Sequence, residues 1–146
     1  MRRTFKQYLL TTILTLFWSL QAVADLTFSS TAGGFPLVGA DGNAVFVVST
    51  NDAEVVTTVA KCVIQDIKAI TGKQLALRNT VNSGDLPIIA GTIGQSAIVD
   101  ALIAEGKADT TGLTGVWEAY ALQLVQQPME GISQALVIMG DRKSVV

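Results

Sequence analysis

The sequence predicts an α+β fold, a mixed β-sheet with two helices packed on one face. Three observations carry this. Short apolar, β-branched runs recur at Ala44–Val48, Leu86–Ala90 and Ala135–Met139, as buried strands require. Two stretches, Ala53–Thr71 and Ala97–Ala104, place apolar residues at helical spacing. The elements follow one another as ββαββαββ, and an apolar helix face needs a continuous sheet to cover it.

Asp25 to Gly34 is polar and reads as a leading segment. Phe35-Pro36-Leu37-Val38 predicts a short edge strand, where proline is tolerated. Gly39 to Asn43 is dense in turn residues, and Ala44–Val48 suits a central strand. Ser49-Thr50-Asn51-Asp52 offers capping side chains to the first helix, with Glu54 favourable to its dipole. Val55, Val56, Val59, Val63, Ile67 and Ile70 define one apolar face of that helix, and Gly72 stops it.

Gln74–Arg78 reads as a strand and Asn79–Asp85 as a turn. Leu86–Ala90 then feeds the loop Gly91–Ser96, whose two glycines permit tight turning, and Ser96 stands where it would cap Ala97–Ala104. Lys107 to Gly115 is a loop with one long apolar residue, Leu113. Trp117–Val125 reads as a long strand, Gln126–Gly131 as the return, and Ala135–Met139 as an antiparallel partner. Gly140-Asp141-Arg142-Lys143 would open a third helix that Ser144-Val145-Val146 stops before one turn, so a fragment of a longer protein is expected.

The chain has 146 residues, 49% of them hydrophobic, with mean hydropathy +0.45. Part of that apolar excess is a predicted signal peptide over residues 1–24. Arg2, Arg3 and Lys6 form its basic start, Tyr8–Leu20 its apolar run and Ala22-Val23-Ala24 its cleavage site. The apolar run is too short and threonine-rich for a stable span. Export to a periplasm or the medium is therefore expected for residues 25–146, one domain with a modest core. Loss of the three cations takes the formal net charge from −2 to −5, which argues against nucleic acid as partner. After cleavage no membrane attachment is expected.

Candidate chemistry is sparse. Gly91-x-x-Gly94-x-Ser96 at a helix start invites an anion, yet it lacks the Gly-Lys-Ser/Thr of a P-loop and the spacing of a dinucleotide fold. A tight strand-to-helix connection is the preferred reading. Asp52, Glu54, Asp100, Glu105 and Glu118 are candidate hydrolytic carboxylates, since two acids facing a glycosidic bond suffice, but capping and solvation account for most of them. Cys62 is the single cysteine and no histidine exists, so neither a disulfide nor a Cys-His or Ser-His-Asp centre can form. Cys62 is expected to be a small buried side chain. Trp117 and Tyr120 could stack on a sugar, though packing in a core or interface is preferred. No catalytic, cofactor-binding or metal-binding residue is assigned, and no cofactor is expected.

Three stretches carry a resemblance: Asn51–Gly72, Leu86–Glu105 and Val116–Asp141. Within them stand Pro87-Ile88-Ile89-Ala90-Gly91-Thr92-Ile93-Gly94-Gln95-Ser96, Gly115-Val116-Trp117-Glu118-Ala119-Tyr120, Ala135-Leu136-Val137-Ile138-Met139-Gly140 and the helix ending Thr71-Gly72-Lys73. In order and spacing these resemble the N-terminal domain of glycoside hydrolase family 115, the microbial xylan α-1,2-glucuronidases. Similar domains precede the barrels of hexosaminidases and family-67 glucuronidases. The pattern departs after Arg142, where Lys143-Ser144-Val145-Val146 replaces a Gly-Thr and helix.

The resemblance implies that residues 25–146 are a non-catalytic accessory domain, with a hexosaminidase N-terminal-domain-like fold. The catalytic (β/α)8 barrel, its expected partner, would lie outside this sequence. The parent enzyme would remove glucuronic or 4-O-methylglucuronic acid from glucuronoxylan by an inverting two-carboxylate mechanism. The alternative is a free-standing exported carbohydrate- or solute-binding module.

Overall fold

The computed structural model describes residues 33–40 and 42–141. The predicted signal peptide, most of the leading segment and the start of a third helix beyond Asp141 lie outside them.

Seven strands and two helices follow in the order β1 Val38–Gly39, β2 Gly42–Asn43, β3 Val45–Val48, α1 Glu54–Thr71, β4 Ala76–Arg78, β5 Pro87–Thr92, α2 Ala97–Ala104, β6 Tyr120–Gln126 and β7 Gln134–Gly140. The strand expected from Phe35 shrinks to β1, which makes a two-residue antiparallel ladder with β2. The main sheet has five strands in the order β4-β3-β5-β7-β6. β3 runs parallel to β4 and β5, β5 runs parallel to β7, and β6 alone is antiparallel, paired with β7. The α+β class, the mixed sheet and the two helices are as the sequence predicts.

The helices, however, do not share a face. Phe46, Val48, Ile88 and Ala90 pack in one cluster with Ala60 and Ile64 of α1. Val45, Val47, Ile89, Val137 and Met139 pack in another with Val99 and Leu102 of α2. Alternate strand residues point to opposite faces, so α1 covers one side of the sheet and α2 the other. The physical reason is in the strands. All of β3 and β5 is buried, the mark of parallel strands covered on both sides.

α1 also turns differently from expectation. Its buried residues are Ala60 and Ile64, flanked by half-buried Val56 and Ile67. Val55, Val59, Val63 and Ile70 are exposed, Val59 by 54%. Parallel neighbours join through right-handed crossovers. In the β3–α1–β4 unit that hand, with the 3.6-residue period, turns the Val55, Val59 and Val63 flank toward β7 and β6. α1 ends as predicted: Gly72 takes a left-handed conformation (φ 73°) and its N–H donates to the Lys68 carbonyl.

Two other expectations shift. β5 continues through Gly91 and Thr92, which pair with Met139 and Gly140. β6 begins at Tyr120 instead of Trp117, because Glu118 sits at φ 56°, outside strand geometry. The loop from Lys107 to Gly115 forms as expected, and it buries Ala108 and Leu113 against the α2 face.

Candidate functional site

In a sheet of this order the connections diverge between β3 and β5: β3 leads through α1 outward to β4, and β5 leads through α2 the other way, to β6 and then back to β7. Ligands of open α/β sheets bind at such a point, beyond the carboxyl ends of the strands. The Ser49–Ala53 turn and the Thr92–Ser96 loop meet there, so the glycine loop singled out in the sequence occupies the position where a site is expected.

The loop is already filled by the protein's own side chains. Asp52 Oδ2 accepts the Thr92 N–H at 2.9 Å, and Asp52 Oδ1 accepts the Ala53 N–H at 2.8 Å. Asp100 Oδ1 accepts the Gly94 N–H at 2.8 Å. Two N–H groups of the loop, those of Thr92 and Gly94, therefore hold internal carboxylates, whose charge repels an external anion. Neither helix takes a side-chain cap at its first turn. Asp52 instead ties β5 to the start of α1. Ser96 is fully buried, with its Oγ 3.0 Å from Ser49 Oγ.

Gly91 is required by this packing. A Cβ at that position would lie 2.5 Å from Ser96 Cβ and Oγ and 2.9 Å from Asp52 Oδ2. Thr92 is 1% exposed, and its Oγ1 has no hydrogen-bond partner among the described residues. The arrangement is a clamp between two loops, held by the protein's own side chains.

The remaining candidates are dispersed. Glu54 is exposed at the start of α1, Glu105 pairs with Lys107 at 2.8 Å, and Glu118 stands exposed before β6. Asp141 accepts the Gly115 N–H. Asp109 lies on the loop after α2; hydrogen bonds from the Thr111 side chain and backbone hold its carboxyl below the usual value of 3.8. Among the described residues no cluster of three or more His, Cys, Asp or Glu side chains could hold a metal ion, and no helix is long and apolar enough to cross a membrane.

Cys62 is exposed, not buried. It lies on the side of α1 away from Ala60 and Ile64, which the sequence alone did not orient. Trp117 and Tyr120 are 72% and 68% exposed, so neither is a core residue. A depression of ≈ 240 Å³ lined by Pro36, Gly42, Asn43, Gly84, Asp85 and Leu86 lies at the amino-terminal end of β3 and β5. It is smaller than ordinary ligand pockets. Its Asp85 carboxylate is already engaged by Arg78 and the Asn82 N–H.

The surface feature missed in the sequence is an apolar slot on the α1 side. Leu122 and Leu124 of β6 stand opposite Ile138 and Leu136 of β7, which places all four on the face that α1 covers further along the sheet. Leu122 is 50% and Leu124 39% exposed. The flank of α1 bearing Val55, Val59 and Val63 turns toward them. A hint was present in the sequence: α1 carries more valine and isoleucine than one sheet-facing stripe needs. The chain matches no protein-family model and no curated protein.

Proposed function

We propose that residues 25–146 form the amino-terminal, non-catalytic domain of a longer exported glycoside hydrolase, resembling those that remove (4-O-methyl)glucuronic acid from xylan. The enzyme class in this reading comes from the sequence resemblance, and the observation that supports a domain awaiting a covering segment is the apolar slot. Its floor is two strands wide, roughly 10 Å with strands about 4.8 Å apart, and one wall is the exposed valine flank of α1. One α-helix, about 10 Å across, fits such a space. Contiguous exposed apolar surface of this kind marks a contact still to be made. In this reading the following part of the longer chain covers the slot, and the domain supports the barrel that does the chemistry.

The engaged carboxylates agree with a supporting role. Asp52, Asp100 and Asp141 each accept backbone N–H groups of neighbouring loops, which suits them to hold loops in place. Two measurements test the reading. The open frame beyond codon 146 should continue into repeated strand–helix units; a stop codon at that point in the intact gene refutes it. The purified chain should release no uronic acid from glucuronoxylan oligosaccharides, and release would refute the non-catalytic role.

A second reading, a free-standing carbohydrate-binding module, draws on one observation, the exposed rings of Trp117 and Tyr120. Aromatic rings of this kind stack on sugars. Saturable quenching of Trp117 fluorescence by xylan oligosaccharides, abolished by Trp117→Ala, would favour it over the accessory domain.

A further inference from the structure

The two edges of the main sheet are built differently. β4, at one edge, is three residues long and ends at Arg78, whose guanidinium bonds Asp85. Short strands and charges of this sort discourage pairing with another chain. β6, at the other edge, has seven residues, Tyr120-Ala121-Leu122-Gln123-Leu124-Val125-Gln126, with no charge, proline or glycine. Its register with β7 is unbroken from Tyr120↔Gly140 to Gln126↔Gln134, so no bulge bends it. The strand itself carries none of the common edge-protecting devices.

The free hydrogen-bonding groups can be assigned. The Gln127 N–H donates to the Ser133 carbonyl at 2.8 Å. That pair continues the β6–β7 register, so alternation makes Ala121, Gln123 and Val125 the residues bonded to β7. Tyr120, Leu122, Leu124 and Gln126 then direct their N–H and C=O groups outward.

From this edge we infer that the protein self-associates through β6, two copies pairing antiparallel about a twofold axis at Gln123. The inference goes beyond the accessory-domain reading and does not depend on it. In this register Tyr120 faces Gln126 of the second copy and Leu122 faces Leu124, so each outward group meets its complement. Four leucines from the two copies adjoin on the open face. Although the domain is acidic, β6 has no charge, so no like charges oppose each other along the seam.

A seven-residue strand is roughly 24 Å long. Edge pairing over that length, with the exposed parts of Tyr120, Leu122 and Leu124, falls at the small end of specific interfaces, below about 1,200 Å² in total. Interfaces of this size belong to the weak and transient class, so association is sought over the micromolar range by analytical ultracentrifugation.

The test uses the full chain as expressed, its amino terminus fixed by intact mass, sedimented from about 1 to 200 μM. The wild type should approach twice the chain mass at the upper end; a monomer throughout overturns the proposal. The double variants Leu122→Lys/Leu124→Lys and Leu122→Glu/Leu124→Glu change exposed side chains only, and circular dichroism checks that both fold. Each alone should weaken association at least about a hundredfold, since like charges then oppose across the seam. An equimolar mixture should dimerise again, because both lysines of one copy then face glutamates of the other. Persistent dimers in either variant alone, or a monomeric mixture of folded variants, overturn the proposal. None of these outcomes decides the accessory-domain reading, whose own tests are the downstream gene and the absence of uronic acid release.

Discussion

Gly91 offers a direct measure of how tightly the β3–β5 loops are clamped. Its φ is not in the left-handed region, so in open space Gly91→Ala would stabilise by about 0.4–1 kcal/mol through the unfolded chain. The added Cβ, however, would sit 2.5 Å from both Ser96 Cβ and Ser96 Oγ, against an optimal carbon–carbon separation of about 3.5–4.0 Å. Relief requires β5 and the start of α2 to part by roughly 1 Å, an overpacking cost of about 1–3 kcal/mol or more. The expected net loss is about 2 kcal/mol, or roughly 10 °C in Tm for a domain of this size.

Urea denaturation followed by circular dichroism is the suitable assay, because Trp117 is too exposed in the folded protein to report unfolding well. Ser96→Gly removes both 2.5 Å contacts and leaves the Asp52 carboxylate at 2.9 Å. Gly91→Ala should then cost at least about 1 kcal/mol less in the Ser96→Gly background, a coupling expected of residues in contact. An unchanged stability for Gly91→Ala, or an equal loss in both backgrounds, would falsify the clamp.

Three further outcomes follow from the same region and its surroundings. Asp52→Ala leaves the N–H of buried Thr92 without its acceptor and should lower stability by about 2–3 kcal/mol, whereas Asp52→Asn, which keeps one acceptor oxygen, should lose about half as much in the same assay. Thr92→Val removes a buried hydroxyl that has no partner among the described residues and should be neutral or stabilise by about 1 kcal/mol; a loss above about 1 kcal/mol would show that Oγ1 is engaged. Asp109 should titrate below 3.8 in the folded chain, so its contribution to stability is present above that value and is lost as pH falls through the depressed one. Thr111→Val should move the titration, read by carboxyl NMR shifts, back toward 3.8.

Much of this fold was legible because local signals and tertiary demands agree. β3, α2 and β7 are each found within a residue of their predicted ends, since continuous apolar runs and helical spacing leave little choice. The placement of the helices was not legible. Strand alternation shows that β3 and β5 are buried on both faces only once their neighbours are known, and their runs read the same under one helix layer or two. The α1 orientation failed for a related reason: with apolar residues on two adjoining flanks, periodicity cannot say which flank meets the sheet. The clamp was half legible. The glycine spacing marked the loop, while Asp52, far earlier in the chain, filled it through a contact that no local pattern encodes.

The division of the core between two faces also sets an order on synthesis. Every buried member of the α1-side cluster lies between Ala44 and Ala90, whereas the α2-side cluster draws on residues from Val45 to Met139. A chain emerging amino terminus first can therefore close the α1 side as soon as β5 is made. The other side of β3 and β5 and the outer edge of β5 must wait for α2 and β7. Between those moments Ile88 and Ile89 belong to an unpaired edge, and the interval lasts until synthesis has passed from Thr92 to Gln134 and beyond. Because β7 arrives directly after β6 and pairs with it along its whole length, the two can dock as a preformed hairpin. That single docking event seals the β5 edge and completes the second half of the core together.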